Sequence, residues 1–159
     1  RRLIIFGCPE NKVQVVRLGI DIDRIDSIIE RDNRTKFPSF LHVGRLVNKK
    51  SPLPVLYSFK ILLNDFPDAK FYIIGDGPEY QKIKNLIEKL KLDNSVVMYG
   101  SKNSEFVWQK MAQSWIFVQH SCTSNKGDQE GFSVGIIEAS FCGLPVVSTI
   151  HNGIPENII

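Results

Sequence analysis

The sequence predicts an α/β protein in which a parallel sheet is covered by helices on both faces. Five short apolar runs of strand length alternate with four segments of helical period, an order that needs a right-handed crossover after each strand. The clearest helical segment, residues 79–90, repeats Ile83, Leu86, Ile87 and Leu90 at i, i+3, i+4 and i+7, with Lys and Glu on the other face. Segments rich in Gly, Asp and Arg follow the strands, at the sheet edge where such folds collect ligands.

Taken in order, residues 3–6 and 13–18 are short apolar runs separated by Gly7-Cys8-Pro9-Glu10-Asn11-Lys12, and Gly19 punctuates the second. Residues 30–36, ERDNRTK, are polar and aperiodic, a linker or exposed turn where a domain boundary is expected. Residues 40–43 read as the first strand, ending at Gly44-Arg45, and residues 52–64 as a helix with Val55, Leu56, Phe59, Leu62 and Leu63 on its apolar face. A second strand, residues 70–74, closes at Gly75-Asp76-Gly77-Pro78 before the amphipathic helix. A third strand at 96–99, a helix at 104–114 and a fourth strand at 115–118 follow. A loop over residues 119–129 then leads to a helix at 134–142. Gly143 is its expected C′ residue, Leu144-Pro145 its stop, and residues 146–149 a fifth, buried strand.

A chain of 159 residues with 43% hydrophobic and 23% charged residues can hold one domain with a real core. Its net charge of +3 suits small anions or a loose contact with a membrane surface and is too weak to argue for nucleic acid. Cys8, Cys122 and Cys142 show neither CxxC nor zinc-ligand spacing, which fits reduced thiols and a cytoplasmic setting. No apolar run approaches the ~20 residues that span a bilayer. Arg1 is not an initiator methionine, and Pro155-Glu156-Asn157-Ile158-Ile159 reads as a helix just beginning. The chain is therefore expected to be part of a longer protein, truncated at both ends.

The functional residues are expected around residues 129–147, QEGFSVGIIEASFCGLPVV. Glu130 stands in the segment Glu130-Gly131-Phe132-Ser133, and Glu138 lies one turn into the helix that follows. A loop entering a helix presents unpaired N–H groups and a positive dipole end, which suits an anion. Carboxylates flanking that end would repel a phosphate, so they are expected to accept hydrogen bonds from hydroxyls; phosphate plus hydroxyls suggests a nucleotide sugar. Glu138 sits among Ile136, Ile137, Ala139 and Phe141, where an unpaired carboxylate is costly. Gly44-Arg45-Leu46-Val47-Asn48-Lys49-Lys50 adds phosphate-binding cations at the same edge, although a solvated basic loop has the same composition. Gly75-Asp76-Gly77-Pro78-Glu79-Tyr80 fails as a dinucleotide fingerprint, because Tyr80 replaces the third glycine, and reads as a tight turn; this disfavours a nicotinamide oxidoreductase. His42 is expected in the core, His120 near the site, and Trp108, Met111 and Trp115 in the core. The three histidines share no metal-ligand spacing.

At these residues the chain resembles the retaining GT-B glycosyltransferases of family four. The resemblance runs through Val16-Arg17-Leu18-Gly19-Ile20-Asp21, Val43-Gly44-Arg45 with Lys50, and Gly75-Asp76-Gly77-Pro78. It continues with the E-x7-E pair Glu130 and Glu138, and with Gly143-Leu144-Pro145-Val146-Val147; Lys126 to Gly131 and Gly153-Ile154-Pro155-Glu156 look most like bacterial exopolysaccharide members. It implies the C-terminal, Rossmann-like half of a GT-B fold. Residues 1–32 would be the end of the acceptor domain and linker, and residues 33–159 an incomplete nucleotide-sugar-binding domain. The implied activity is retaining transfer of a hexose from a UDP-, GDP- or ADP-sugar to a growing glycan or lipid-linked acceptor. No cofactor, metal or nucleic acid is implied; the missing N-terminal domain and a peripheral contact at the inner face of the membrane are. By the same resemblance Gly44, Arg45 and Lys50 hold the donor diphosphate. Glu130 holds the sugar beside the amides of Gly131 and Phe132 and the adjoining Ser133, and Glu138 holds the ribose. Glu130, Arg45 and Lys50 form the catalytic set. The sequence departs from the family at Ser51, where a glycine usually stands, and at Arg17-Leu18-Gly19. A non-catalytic nucleotide-binding module or degenerate paralogue is the alternative, disfavoured by the intact Arg45, Lys50, Glu130 and Glu138.

Overall fold

Five strands and four helices form in the expected order, each within two residues of its expected bounds. The computed structural model describes residues 2–16, 18–30, 33–50 and 52–157. Arg1, Arg17, Arg31, Asp32, Ser51, Ile158 and Ile159, which carry parts of the terminal, turn, linker and loop expectations, lie outside the described residues. Two short helices come first, α1 (Arg2–Ile5) and α2 (Ile22–Asp26). Then follow β1 (Ser39–Val43), α3 (Leu53–Leu62), β2 (Lys70–Ile74), α4 (Tyr80–Lys89) and β3 (Val96–Gly100). α5 (Ser104–Gln113), β4 (Ile116–Gln119), α6 (Val134–Phe141) and β5 (Val146–Ser148) complete the sheet and its cover.

The strands pair in parallel in the order β3-β2-β1-β4-β5. Growth runs outward from β1 to β3, then returns past β1 to β4, so right-handed crossovers place α3 and α4 on one face and α5 and α6 on the other. The two-residue period of the strands splits the core accordingly. Phe71 and Ile73 of β2 join Leu56, Phe59, Ile83 and Ile87 on the first face, while Tyr72 and Ile74 join Trp108, Met111, Ile136 and Ala139 on the second. The result is a Rossmann-like, doubly wound α/β sheet. Among the described residues no helix is long and apolar enough to cross a membrane.

Local chemistry explains the helix ends. The Asn103 side chain accepts from Phe106 N at 3.0 Å and starts α5. Gly143, at φ +77°, ends α6. Its N–H bonds Ser140 O at 3.0 Å and Leu144 N–H bonds Ala139 O at 2.9 Å, the two bonds of a Schellman motif that favours glycine at this position.

Two expectations change, the first at β5, expected to be buried, where Val147 is 56% exposed. Trp115 is not a core residue; it precedes β4, is 39% exposed, and its indole N–H is held by Thr35 O at 2.8 Å. The segment before residue 30 also packs on the second face of the sheet. Ile25 and Ile29, one helical turn apart, are buried with Trp108 and Met111, and Arg34 Nη2 donates to Gly143 O at 2.7 Å. Before α2, by contrast, Ile5, Phe6, Val15, Val16 and Leu18 are exposed.

Candidate functional site

The carboxyl ends of β1 and β4 flank the point where strand order reverses, and two loops leave there in opposite directions. After β1 the chain passes Gly44 and Arg45, buries Leu46 completely, and turns through a single 3-10 turn, Asn48–Lys50. The loop after β2 holds this segment in place. Leu46 N bonds Asp76 O and Glu79 N bonds Leu46 O, each at 2.9 Å. Gly75 lies so close to Gly44 that a Cβ on it would stand 1.9 Å from Gly44 O. Gly75-Asp76-Gly77-Pro78 is the expected turn before α4, and it also supports the cationic loop.

The loop after β4 closes onto the first one. Lys49 Nζ reaches Asp128 Oδ1 at 3.1 Å and Gln129 O at 3.3 Å, and Cys122 N–H bonds Lys49 O at 3.0 Å. Beside this clamp Lys50 Nζ stands 3.0 Å from Glu130 Oε2, the two side chains being 21% and 7% exposed. The contact is ionic and lacks hydrogen-bond alignment, so Oε2 keeps its capacity to accept from a hydroxyl. Asn152 Nδ2 donates to Glu130 O at 2.9 Å, and Gly153 packs on Gly131 O. Beneath the loop runs a buried polar chain. Ser133 Oγ donates to Gln119 Oε1 at 2.7 Å, Gln119 Nε2 donates to Ser121 Oγ at 3.1 Å, and Thr149 Oγ1 bonds both the N–H and the carbonyl of Ser121. This chain fixes the entry to α6, whose first turn carries no acidic residue. No acidic residue within that first turn opposes an anion at the α6 N-terminus.

Glu138 is half-buried on α6, and its partner comes from α5: Trp108 Nε1 donates to Glu138 Oε1 at 2.8 Å. Arg24 of α2 covers the same indole, its guanidinium 5.5 Å from the ring centroid. Arg45 is exposed, and its guanidinium is engaged by no described residue.

His42 lies at the floor. Its Nδ1 is 3.2 Å from Val118 O, which can only accept, so Nδ1 carries the proton and Nε2 a lone pair. Nε2 has no hydrogen-bond partner among the described residues; a Cβ on Gly44 would stand 4.0 Å from it and 3.6 Å from Lys50 Cδ. Complete burial pushes this imidazole from 6.5 down to about 4; the bond to Val118 opposes the shift, while the charges of Lys50 and His120 add to it. Between those values the unfolded chain binds a proton that the native protein refuses, so stability is full above about pH 6.5 and falls as pH drops toward 4. The expected loss over that interval is up to about 3 kcal/mol. Denaturant midpoints measured at several pH values should fall more steeply for the wild type than for His42→Gln; parallel curves would remove His42 as the cause.

Lys50, Glu130 and Gly44 thus meet in one place with the α6 N-terminus, as Gly131, Phe132 and Ser133 lead into it. Glu138 is held on the α5 side, and Arg45 faces solvent. The sequence reading missed Gln119, Ser121, Asn152 and the Trp108 bond. It expected His42 in the core, and His42 is indeed fully buried, but with one ring nitrogen unsatisfied. Among the described residues no group of three or more His, Cys, Asp or Glu is arranged to hold a metal ion.

A family model for glycosyl transferases group 1 matches residues 23–159. The chain is 34% identical over 155 residues to the putative colanic acid biosynthesis glycosyltransferase WcaL of Escherichia coli K12, covering 98% of this chain and 38% of that protein. It is 34% identical over 157 residues to the amylovoran biosynthesis glycosyltransferase AmsK of Erwinia amylovora, covering 99% and 38%. The chain thus spans under two-fifths of these relatives' length. Among solved structures, Anabaena HepE in complex with UDP-glucose superposes with a TM-score of 0.75 at 23% identity, over 96% of this chain and 43% of that one. The lipopolysaccharide outer core galactosyltransferase WaaB gives 0.68 at 23% identity, over 99% and 42%. The chain belongs to the group 1 glycosyl transferases.

Proposed function

We propose that residues 33–159 form the donor-binding half of a retaining hexosyltransferase, with residues 1–32 the end of an acceptor domain and its linker. The donor would be a nucleotide-diphosphate sugar and the acceptor a growing glycan or lipid-linked saccharide, handled at the inner face of the membrane. The observation that carries this reading is the Lys50–Glu130 pair, seated at the switch point beside the open N-terminus of α6 and the unengaged Arg45. The UDP-glucose bound by HepE supports the donor class, and the colanic acid and amylovoran biosynthesis named for WcaL and AmsK support a glycan as acceptor.

In this reading Arg45 and Lys50 take the charge of the diphosphate as it leaves, a role that a metal plays in other transferases. The N–H groups that lead into α6, from Gly131 and Phe132 past Ser133, face the same anion. Glu130 accepts from a sugar hydroxyl, and Glu138 accepts from the ribose. The sugar C1–O bond to phosphate breaks as the acceptor oxygen bonds C1 from the same face. The acceptor's proton passes to the leaving phosphate oxygen. Glu130 orients the sugar and forms no bond to it.

Binding tests this directly. Without added metal, the protein should bind a nucleoside diphosphate, and Arg45→Ala should weaken that binding by about 10- to 150-fold, as expected for one charge-assisted contact. Binding of the free nucleoside should be nearly unchanged, and the difference should shrink as salt rises. Equal losses for diphosphate and nucleoside would make the loop structural and overturn the donor assignment.

A further inference from the structure

We propose that Trp108 is a positioning residue for Glu138, setting how this carboxylate meets the 2′,3′-diol of a ribonucleotide; the proposal rests on the reading of Glu138 as the ribose-binding group. Trp108 is 6% exposed and offers only a donor, and that donor is spent on Glu138 Oε1 at 2.8 Å. The bond commits Oε1 and fixes the glutamate side chain, leaving Oε2 to accept from the diol. The indole cannot easily swing away. Its ring packs with Ile25 and Met111, and Arg24 covers it at 5.5 Å while pairing with Glu105 at 3.4 Å.

Trp115 supplies the comparison within the same molecule. Its indole N–H is satisfied by the backbone carbonyl of Thr35, also at 2.8 Å, which needs no charged group near the core. Satisfying Trp108 with a half-buried carboxylate is the costlier arrangement, since the charge loses hydration for one hydrogen bond. A second duty for that carboxylate accounts for it. Pre-fixing the side chain removes the rotamer freedom that a free glutamate would lose when the diol arrives.

The test is the ratio of dissociation constants for a 2′,3′-dideoxy nucleoside diphosphate and its ribose counterpart, using whichever of UDP, GDP and ADP binds best. It is measured on the full chain carrying these residues. The wild type should prefer the ribose form by about tenfold or more. Trp108→Phe should bring the ratio close to one while leaving dideoxy binding nearly intact. Because the smaller ring leaves a gap in the core, a second variant carries benzothienylalanine at position 108 alone, an indole isostere whose sulfur replaces the N–H. The same collapse of the ratio with an unchanged melting temperature is the expected result. A wild-type ratio in the benzothienyl variant, with Glu138→Ala losing ribose preference, would overturn the positioning role and leave the ribose reading standing. A wild-type ratio in Glu138→Ala would overturn the ribose reading and this proposal with it.

Discussion

Lys50→Ala is expected to destabilise the protein by about 3 kcal/mol, because it leaves the Glu130 carboxylate buried without its counter-charge. The pair is not a surface ion pair: the Glu130 side chain is 7% exposed, and Lys50 approaches it at 3.0 Å. Arg45→Ala removes an equal charge from the same loop, yet its guanidinium is exposed and paired with no described residue, so the cost should stay within about 0.5 kcal/mol. The double variant Lys50→Met, Glu130→Gln removes both charges, keeps the volumes, and should recover most of the loss. Denaturant midpoints of the four proteins decide the point. Similar costs for Lys50→Ala and Arg45→Ala would show that the Lys50–Glu130 contact contributes nothing to the fold. Because Lys50 also belongs to the proposed phosphate site, the rescued double variant should remain a poor binder of nucleoside diphosphate. Stability and ligand affinity would then separate at a single residue.

Gly153→Ala should be comparably damaging for a different physical reason. A Cβ there would lie 1.8 Å from the carbonyl oxygen of Gly131 and 3.0 Å from its carbon, and both neighbours are backbone. No rotamer change relieves such an overlap; one of the two segments has to move. On one side Ile154 is 1% exposed and anchors the 3-10 turn Ile154–Asn157, and on the other Asn152 bonds Glu130 O. The expected cost is about 3 kcal/mol, at the upper end for overpacking. Nucleoside diphosphate affinity should fall with it, because the segment that shifts carries Glu130. Gly127→Ala is the control. Gly127 has φ +77° but meets nothing within 4 Å, so its substitution costs only the left-handed backbone penalty, about 1 kcal/mol. Equal melting temperatures for the two variants would mean that residues 151–154 do not brace the Glu130 segment.

The parts of this molecule legible in its sequence are those with a repeating trace. Strands stand out as short continuous apolar runs, α4 keeps its i, i+3, i+4 stripe, and Gly143 marks the end of α6 by a local backbone need. Each leaves a pattern within a dozen residues. Position relative to the strands then brings Gly44, Arg45, Lys50 and residues 130–133 to one edge without any knowledge of contacts. What the sequence could not state is which side chain meets which. Lys50 finds Glu130, and Trp108 finds Glu138, only because α5, α6 and two loops converge; such pairs leave no periodic mark. Gln119, at the end of β4, resembles any polar strand-end residue, and its bond to buried Ser133 exists only in three dimensions. Trp115 misled because an aromatic residue at a strand start looks like core. Ile25 and Ile29 did carry a signal, an i, i+4 apolar pair inside an otherwise acidic stretch, and the polar run that follows hid it.

The strand order has a consequence for amide hydrogen exchange. Among the described residues β1 is paired on both sides, with β2 and β4, whereas β5 has three residues and pairs with β4 alone. Opening β1 requires breaking the sheet at its middle; opening β5 with residues 149–157 does not. The two halves of the candidate site therefore hang from elements expected to differ in local stability, Gly44 and Lys50 from β1, expected to exchange slowest, and Glu130 from a segment braced beside β5. A ligand that joins the two loops would transfer the protection of β1 outward. The slowing it causes should be largest in residues 119–133 and 146–154 and nearly absent in β1, where little opening remains to suppress.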